Sequence, residues 1–369
     1  MNDKQDLTTG TISKKLIAYA LPLLAANLLQ SFYSLMDMLV VGRIVGETGL
    51  AAISNASMLS FIINSVCIGI TMGGTVLAAQ YKGAKDEHGQ IEIIGTLFTV
   101  AFIAAVLVTA AGLAAYRPLF RLLHVPAPAM EDACGYMKII CYGTIFVFGY
   151  NAVCSIMKGL GDSKSPLYFV AVATVINLVL DLLLVGPFGM GTEGAACATI
   201  FSQGISFVIS VFHLKRKDSV FDFRLSHFSI KTDKLAAILK VGLPTAVQMA
   251  SVNLSYLLIT GMLNQFGVSV AAASGVGLKI NTFAGMPCWA IGQAVTAMAG
   301  QNMGAGNIKR VQKTTSTGLC LNLLITLIMV LLVQIFGKQL ILLFTPASPE
   351  VLEEGILYLR ICCSVNSLV

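Results

Sequence analysis

The chain has 369 residues, 56% of them apolar and 11% charged, against roughly 25% charged in an ordinary soluble domain. With a mean hydropathy of +0.82, too few polar side chains remain to cover a surface in water, so a water-soluble globule is excluded and lipid is the main solvent. The formal charge of +6, from 24 basic and 18 acidic residues, is scattered between apolar blocks rather than gathered on one face, and nucleic acid is not an expected partner.

A spanning helix needs about 20 mainly apolar residues, and ten such blocks follow in chain order: 16–40, 51–79, 92–116, 135–157, 167–187, 194–214, 236–264, 270–299, 314–336 and 356 to the end. The polar start, MNDKQDLTTGTISKK, is too long for the first region of a signal peptide, so the stretch after it counts as the first span. Lys and Arg accumulate in cytoplasmic loops. With the N-terminus inside, 17 of the 24 basic residues fall on the cytoplasmic side and five outside, with Lys279 and Arg360 inside spans. The expected localisation is therefore a cell membrane, multi-pass, with a cytoplasmic N-terminus.

The first span carries Asn27, Gln30, Ser34 and Asp37 at i, i+3, i+7 and i+10, which at 100° per residue lie within about 80° of arc. Pro22 and Pro244 sit near the starts of spans one and seven, where a missing amide costs least; Pro22 also has several helical residues before it. Span two has Ser57, Ser60, Asn64, Thr71 and Thr75, and Gly69 and Gly73 have GxxxG spacing; both features point to close helix packing. Span five repeats the polar pattern with Thr174, Asn177 and Asp181, its acid at the same depth as Asp37.

After span six comes the longest polar stretch, KRKDSVFDFRLSHFSIKTDK, read as a solvated cytoplasmic linker. Span seven presents Gln248, Ser251 and Ser255 but no acid. In span eight, Lys279 is open to two readings, a lysine snorkelling to a water-filled cavity or a group that selects substrate charge. The nine cysteines show no CxxC or Cys/His spacing and read as small packing residues; no structural metal or organic cofactor is expected.

Gly69 to Ala84 aligns with Ala290 to Ala305 at a shift of 221, with Ile70/Ile291, Thr75/Thr296, Ala78/Ala299, Gln80/Gln301, Gly83/Gly304 and Ala84/Ala305 identical. At a shift of 222, Leu21-Pro22 falls on Leu243-Pro244. Six spans separate the copies, so both enter the membrane in the same direction, as parallel repeats do. The expected fold is all-α and polytopic: a first six-helix lobe over 1–214, a linker over 215–235, and a second lobe over 236–369 with about four of its six helices.

Ionisable groups at membrane depth cost roughly 2.5–3.5 kcal/mol each on insertion scales and are functional suspects. Two carboxylates facing each other in a low-dielectric site cannot both ionise comfortably. Asp37 and Asp181 are thus expected to form a switch neutralised by H⁺ or Na⁺. The bland alternative is a pair of acids each satisfied by Asn, Ser or backbone donors.

Taken together, MDMLVVGRIVGETGLAAIS (Met36 to Ser54), AAQYKGA (Ala78 to Ala84), MKGLGDSKSP (Met157 to Pro166), NLVLD (Asn177 to Asp181), EGAACAT (Glu193 to Thr199), GLPTAVQ (Gly242 to Gln248) and GQNMGAGN (Gly300 to Asn307) resemble the multidrug and toxic compound extrusion (MATE) transporters over nearly the whole chain. The resemblance implies a V-shaped pair of six-helix bundles exporting cationic or amphipathic organic compounds in exchange for H⁺ or Na⁺. It also implies a cation site in the first lobe, at Asp37 in helix one, Asn177 and Asp181 in helix five, Tyr136 in helix four and Thr199 in helix six. Asn27, Gln30, Ser34, Gln248 and Lys279 are the candidate substrate-cavity residues. The family has twelve helices, so the resemblance marks this chain as C-terminally truncated. The expected partners are a small organic substrate and the bilayer, the expected state a monomer.

Three other functions compete. A flippase for a lipid-linked saccharide would share the architecture but needs several cavity cations, where Lys279 and Arg43 are the candidates. An inactive truncated fragment is the second. Gly159-Leu160-Gly161-Asp162 spells the GxGD pattern of intramembrane aspartyl proteases, but Asp162 lies in a short joint beside Lys158, Lys164 and Pro166, so no enzyme is expected.

Overall fold

The computed structural model describes residues 6–123, 125–217, 221, 224, 227–344 and 349–366. Ten α-helices follow one another: α1 (Ile12–Ile44), α2 (Glu47–Ala84), α3 (Glu87–Leu122), α4 (Ala127–Gly159), α5 (Lys164–Val185), α6 (Gly191–Lys217), α7 (Thr232–Leu263), α8 (Val268–Gly304), α9 (Ile308–Phe344) and α10 (Pro349–Asn366). No strand occurs among the described residues.

Eight of these helices are long and apolar enough to cross a membrane; α8, with 37 residues, and α10, with 18, fall outside that set. In α8 the interior holds Ser274, Lys279, Asn281 and Thr282 together with five glycines before Gln301, which lowers its hydropathy without breaking the helix. Most helices outrun their apolar cores. The 33 residues of α1 span roughly 50 Å at 1.5 Å per residue, more than the about 30 Å of a bilayer's hydrocarbon. Hydropathy marks where lipid stops, whereas backbone hydrogen bonding carries each helix on through its polar ends.

That extension corrects the reading of the prolines. Pro22 and Pro244 lie well inside α1 and α7, as Pro118 and Pro287 do inside α3 and α8. Helix α1 begins at Ile12, about three turns before Pro22, so the proline leaves a carbonyl without its helical donor in mid-helix rather than at a start.

The linker is also not simply solvated. Phe221 is fully buried and stacks with Phe98 of α3 and with Phe228, ring centroids 6.0 and 5.7 Å apart. The Thr96 hydroxyl donates to the Ser229 carbonyl at 3.2 Å and accepts from the Lys231 amide at 3.3 Å. The aromatic residues among the charges make this stretch an anchor onto α3. Residues 218–220, 222, 223, 225 and 226 of it lie outside the described residues.

Helix α2 is the hub, lying against α3, α4, α7 and α8; α6 packs on α4 and α5, and α1 packs on both α5 and α8. Small polar residues join α2 to α4, as expected of membrane helices. Ser155 Oγ donates to the Thr71 carbonyl at 2.6 Å, and Thr75 Oγ1 donates to Ser155 Oγ at 3.1 Å. Glycines let backbones touch: a Cβ on Gly73 would stand 2.5 Å from the Ile238 carbonyl oxygen of α7. Outward faces stay apolar; Leu319, Leu323, Leu327, Leu331 and Ile335 form an exposed i, i+4 stripe on α9.

Candidate functional site

Asp37 sits in the last third of α1 and Asp181 in the last turn and a half of α5, and these helices pack along each other. Asp37 is 6% exposed and Asp181 fully buried. Their carboxyl groups face one another across the helix pair. Asn177, 1% exposed and one turn before Asp181 on α5, turns its side chain toward the Asp181 carboxyl. The regular spacing of α5 places both on the face that meets α1.

Tyr136 of α4 is buried beside the same carboxyls and beside Tyr33 of α1. Tyr33 in turn directs its hydroxyl toward Thr199 and Ser202 of α6. The structure therefore gathers Asp37, Asn177, Asp181, Tyr136 and Thr199 from four helices into one cluster. Tyr33 and Ser202 are members that the sequence reading missed. The signal for Tyr33 was present, since it stands at i−4 from Asp37 and so on the same side of α1, but an aromatic residue at helical spacing reads first as core.

The cluster is short of partners. Oδ1 of Asp37, both carboxyl oxygens of Asp181, both amide atoms of Asn177, Oγ1 of Thr199 and the Tyr33 hydroxyl are buried without a hydrogen-bond partner of good geometry. Side chains thus lie within reach of one another without closing a network, although buried polar groups are nearly always bonded and cost roughly 1–3 kcal/mol when they are not. Two carboxyls, an amide oxygen and hydroxyls make an all-oxygen donor set of the kind that takes hard cations, and a proton placed between the carboxyls would also supply the missing donor.

The residues expected to line a substrate cavity are more dispersed. Asn27 is half-buried with an unpartnered Nδ2. Gln30 and Ser34 are exposed on α1, the Ser34 hydroxyl donating to the Gln30 carbonyl at 3.2 Å. Gln248 and Lys279 are exposed on α7 and α8. The 80° arc on α1 thus divides: Asp37 turns into the first helical group and Gln30 and Ser34 stay open. Of the second carboxylate considered, Asp162 is buried between α4 and α5 and works as a cap. Its Oδ1 accepts from the amides of Lys164 and Ser165 at 3.1 Å each, and its Oδ2 from the Ser165 hydroxyl at 2.6 Å.

Residues 22–183 and 244–365 match the MatE family. The chain is 33% identical over 359 residues to the probable multidrug resistance protein YpnP of Bacillus subtilis, covering 96% of this chain and 79% of that protein. It is 31% identical over 347 residues to the probable multidrug resistance protein YoeA of the same organism, covering 92% and 75%. Its fold superimposes with a TM-score of 0.92 and 24% identity on a solved outward-facing structure of a multidrug resistance MATE family transporter, over 100% of this chain and 82% of that one. A MOP superfamily transporter from Pyrococcus furiosus gives the same TM-score at 23% identity, again over 100% and 82%. The two matched segments begin at the two equivalent prolines, Pro22 and Pro244, and the chain belongs to the MATE family of membrane transporters.

Proposed function

We propose that this protein is a cation-coupled antiporter, in which H⁺ or Na⁺ bound between Asp37 and Asp181 is exchanged for an organic cation or amphipathic drug carried outward. The observation that carries the reading is the buried carboxyl pair in which Oδ1 of Asp37 and both oxygens of Asp181 lack donors. Binding a small cation relieves their repulsion and fills the empty positions, and the free energy so gained is available to bias the packing of α1 against α5. Asn177, Tyr136 and Thr199 supply further oxygens or orient the carboxyls, and Asn27, Gln30, Ser34, Gln248 and Lys279 face the organic substrate. The names of the bacterial relatives support drug-like cargo.

The same reading places the N-terminus in the cytoplasm, which puts the acid pair in the outer half of the membrane. It divides the chain into two lobes at the linker after α6, and rocking of one lobe on the other exposes the pair alternately to each side. Efflux of a fluorescent organic cation from vesicles under an imposed H⁺ or Na⁺ gradient tests it. Asp37→Asn and Asp181→Asn are expected to abolish gradient-driven efflux. Undiminished coupling in both would overturn the assignment.

A further inference from the structure

The far end of the molecule from the acid pair, where α2, α4 and α8 finish and the chain begins, is closed by a polar knot at Gln301. This side chain is 1% exposed. Its Oε1 accepts from the Leu7 amide at 3.0 Å, and its Nε2 donates to the Gly159 carbonyl at 3.0 Å. The next residue, Asn302, is fully buried and donates through Nδ2 to the Leu7 carbonyl at 3.2 Å and to its own helix at Met298 at 2.7 Å. Both polar groups of the Leu7 backbone are thus held by α8.

The Gly159 carbonyl belongs to the last turn of α4, whose final four carbonyls have no intrahelical donor. Gln301 supplies one donor there, and Tyr19 of α1 supplies another, its hydroxyl 2.6 Å from the Lys158 carbonyl. The Leu7 side chain, 3% exposed, belongs to one buried apolar cluster with residues of α1, among them Leu16 and Tyr19, and of α8, among them Met298. Beyond it, Arg310 of α9 donates to the Thr9 carbonyl at 2.7 Å, and Asp6 accepts from the Thr8 amide at 2.8 Å.

Beneath the knot the two sequence repeats meet each other. Gly83 and Gly304 are equivalent at the shift of 221, as are Gln80 and Gln301. A Cβ on Gly83 would lie 1.8 Å from the Gln301 carbonyl oxygen, and one on Gly304 would lie 1.8 Å from the Gln80 carbonyl oxygen. The packing is therefore reciprocal, each glycine under the other copy's glutamine. The side chains break the symmetry: Gln301 binds the N-terminal arm and α4, whereas among the described residues Gln80 makes no hydrogen bond to either.

We propose that residues Asp6 to Thr9 form a latch on the cytoplasmic gate, with Gln301 as its catch, so that the arm must leave Gln301 before α2 and α8 can part to face inward. The orientation and the alternating exposure are those proposed above. Where α2 meets α8, the closest approaches join backbone to backbone through glycine. The hydrogen bonds that span α4, α8 and the arm, beside that from Lys234 of α7 to Tyr81 of α2, are among those a parting motion must break, and each broken group would then meet water.

The test is cysteine accessibility, which reads the gate without requiring transport. Val76 lies on the α2 face against α8, its carbonyl 3.4 Å from where a Gly300 Cβ would stand. Val76→Cys is placed in a chain whose nine cysteines are replaced by Ser or Ala. An impermeant maleimide is then added from the cytoplasmic face of inside-out vesicles. Gln301→Leu, which removes two buried hydrogen bonds, is expected to speed labelling by more than about fivefold, the shift that loss of one alone implies. Leu7→Pro, which deletes the donating amide outside the spans, should act in the same direction, and Gln80→Leu should not. Unchanged labelling in Gln301→Leu and Leu7→Pro, or equal acceleration by Gln80→Leu, would overturn the latch. Acceleration without any efflux in the parent chain would leave the latch standing and reject the exchanger instead.

Discussion

Asp181 presents both carboxyl oxygens to a buried site that offers them no well-placed donor, while Asp37 stands opposite. Replacing it by Asn keeps the shape, removes one charge and introduces an NH₂ group that can donate to Asp37. Asp181→Asn should therefore raise thermal stability in detergent, by about 1 kcal/mol for the hydrogen bond gained, while gradient-driven efflux is lost. A drop in melting temperature would show that the native pair is already satisfied. Thr199→Val removes an unpartnered oxygen at nearly constant volume; by the same argument it should raise the melting temperature in the absence of the cation and weaken cation-dependent protection against unfolding.

At the arm, partial burial pushes the Asp6 carboxyl up, but the hydrogen bonds from Thr8 and the charges of Lys15 and Lys85 outweigh this and hold it below the ordinary aspartate value. A carboxyl lowered on folding stabilises the folded form above its unfolded value and loses that contribution as pH falls through the lowered value. Arm order should then be constant across neutral pH and fail only in acid, which a spin label at Thr9→Cys would report as motional narrowing confined to the acid end.

Among the elements, α2 shows how a membrane helix is held without a hydrophobic driving force between helices. Lipid tails are as apolar as leucine, so specific bonds and close approach decide its neighbours. Ser155 donates to the Thr71 carbonyl and accepts from Thr75; Ser155→Ala removes both bonds, while Thr75 keeps the Thr71 and Ser155 carbonyls as acceptors. The expected cost is about 0.5–1.5 kcal/mol, measured as a lower unfolding midpoint. Helix α2 also contrasts with α7 and α9, whose apolar stretches have few buried residues. The first group of helices has its own interior, and the later ones lie mostly open in this chain.

Across the whole molecule, the repeat contact makes a symmetric prediction. Gly83→Ala and Gly304→Ala each place a methyl on a backbone oxygen of the opposite repeat, and backbone cannot yield as a side-chain tip can. Each should cost about 1–3 kcal/mol as overpacking does, with similar magnitude for the two. Gly261→Ala, where no atom lies within 4 Å, should instead be neutral or stabilising, since alanine is the better helix former. Paired unfolding midpoints distinguish a seam from general intolerance of substitution.

The amino-acid sequence by itself determined the solvent, the number of helices, their order and the repeat, because each rests on apolar run length and local identity. It also marked Asp37 and Asp181, since an acid in an oily run stands out against its neighbours. Helix ends, the depth of Pro22 and the anchoring of Phe221 on α3 were not legible: hydropathy records lipid, whereas a helix continues wherever its amides are bonded. Only the tertiary structure brought Tyr33 to Thr199 and parted Gln30 and Ser34 from Asp37, because side-chain neighbours depend on which helix lies alongside. The reciprocal seating of Gly83 and Gly304, and the hold of Gln301 on Leu7, likewise required the packed molecule, for those contacts join residues hundreds of positions apart and leave no periodicity to read.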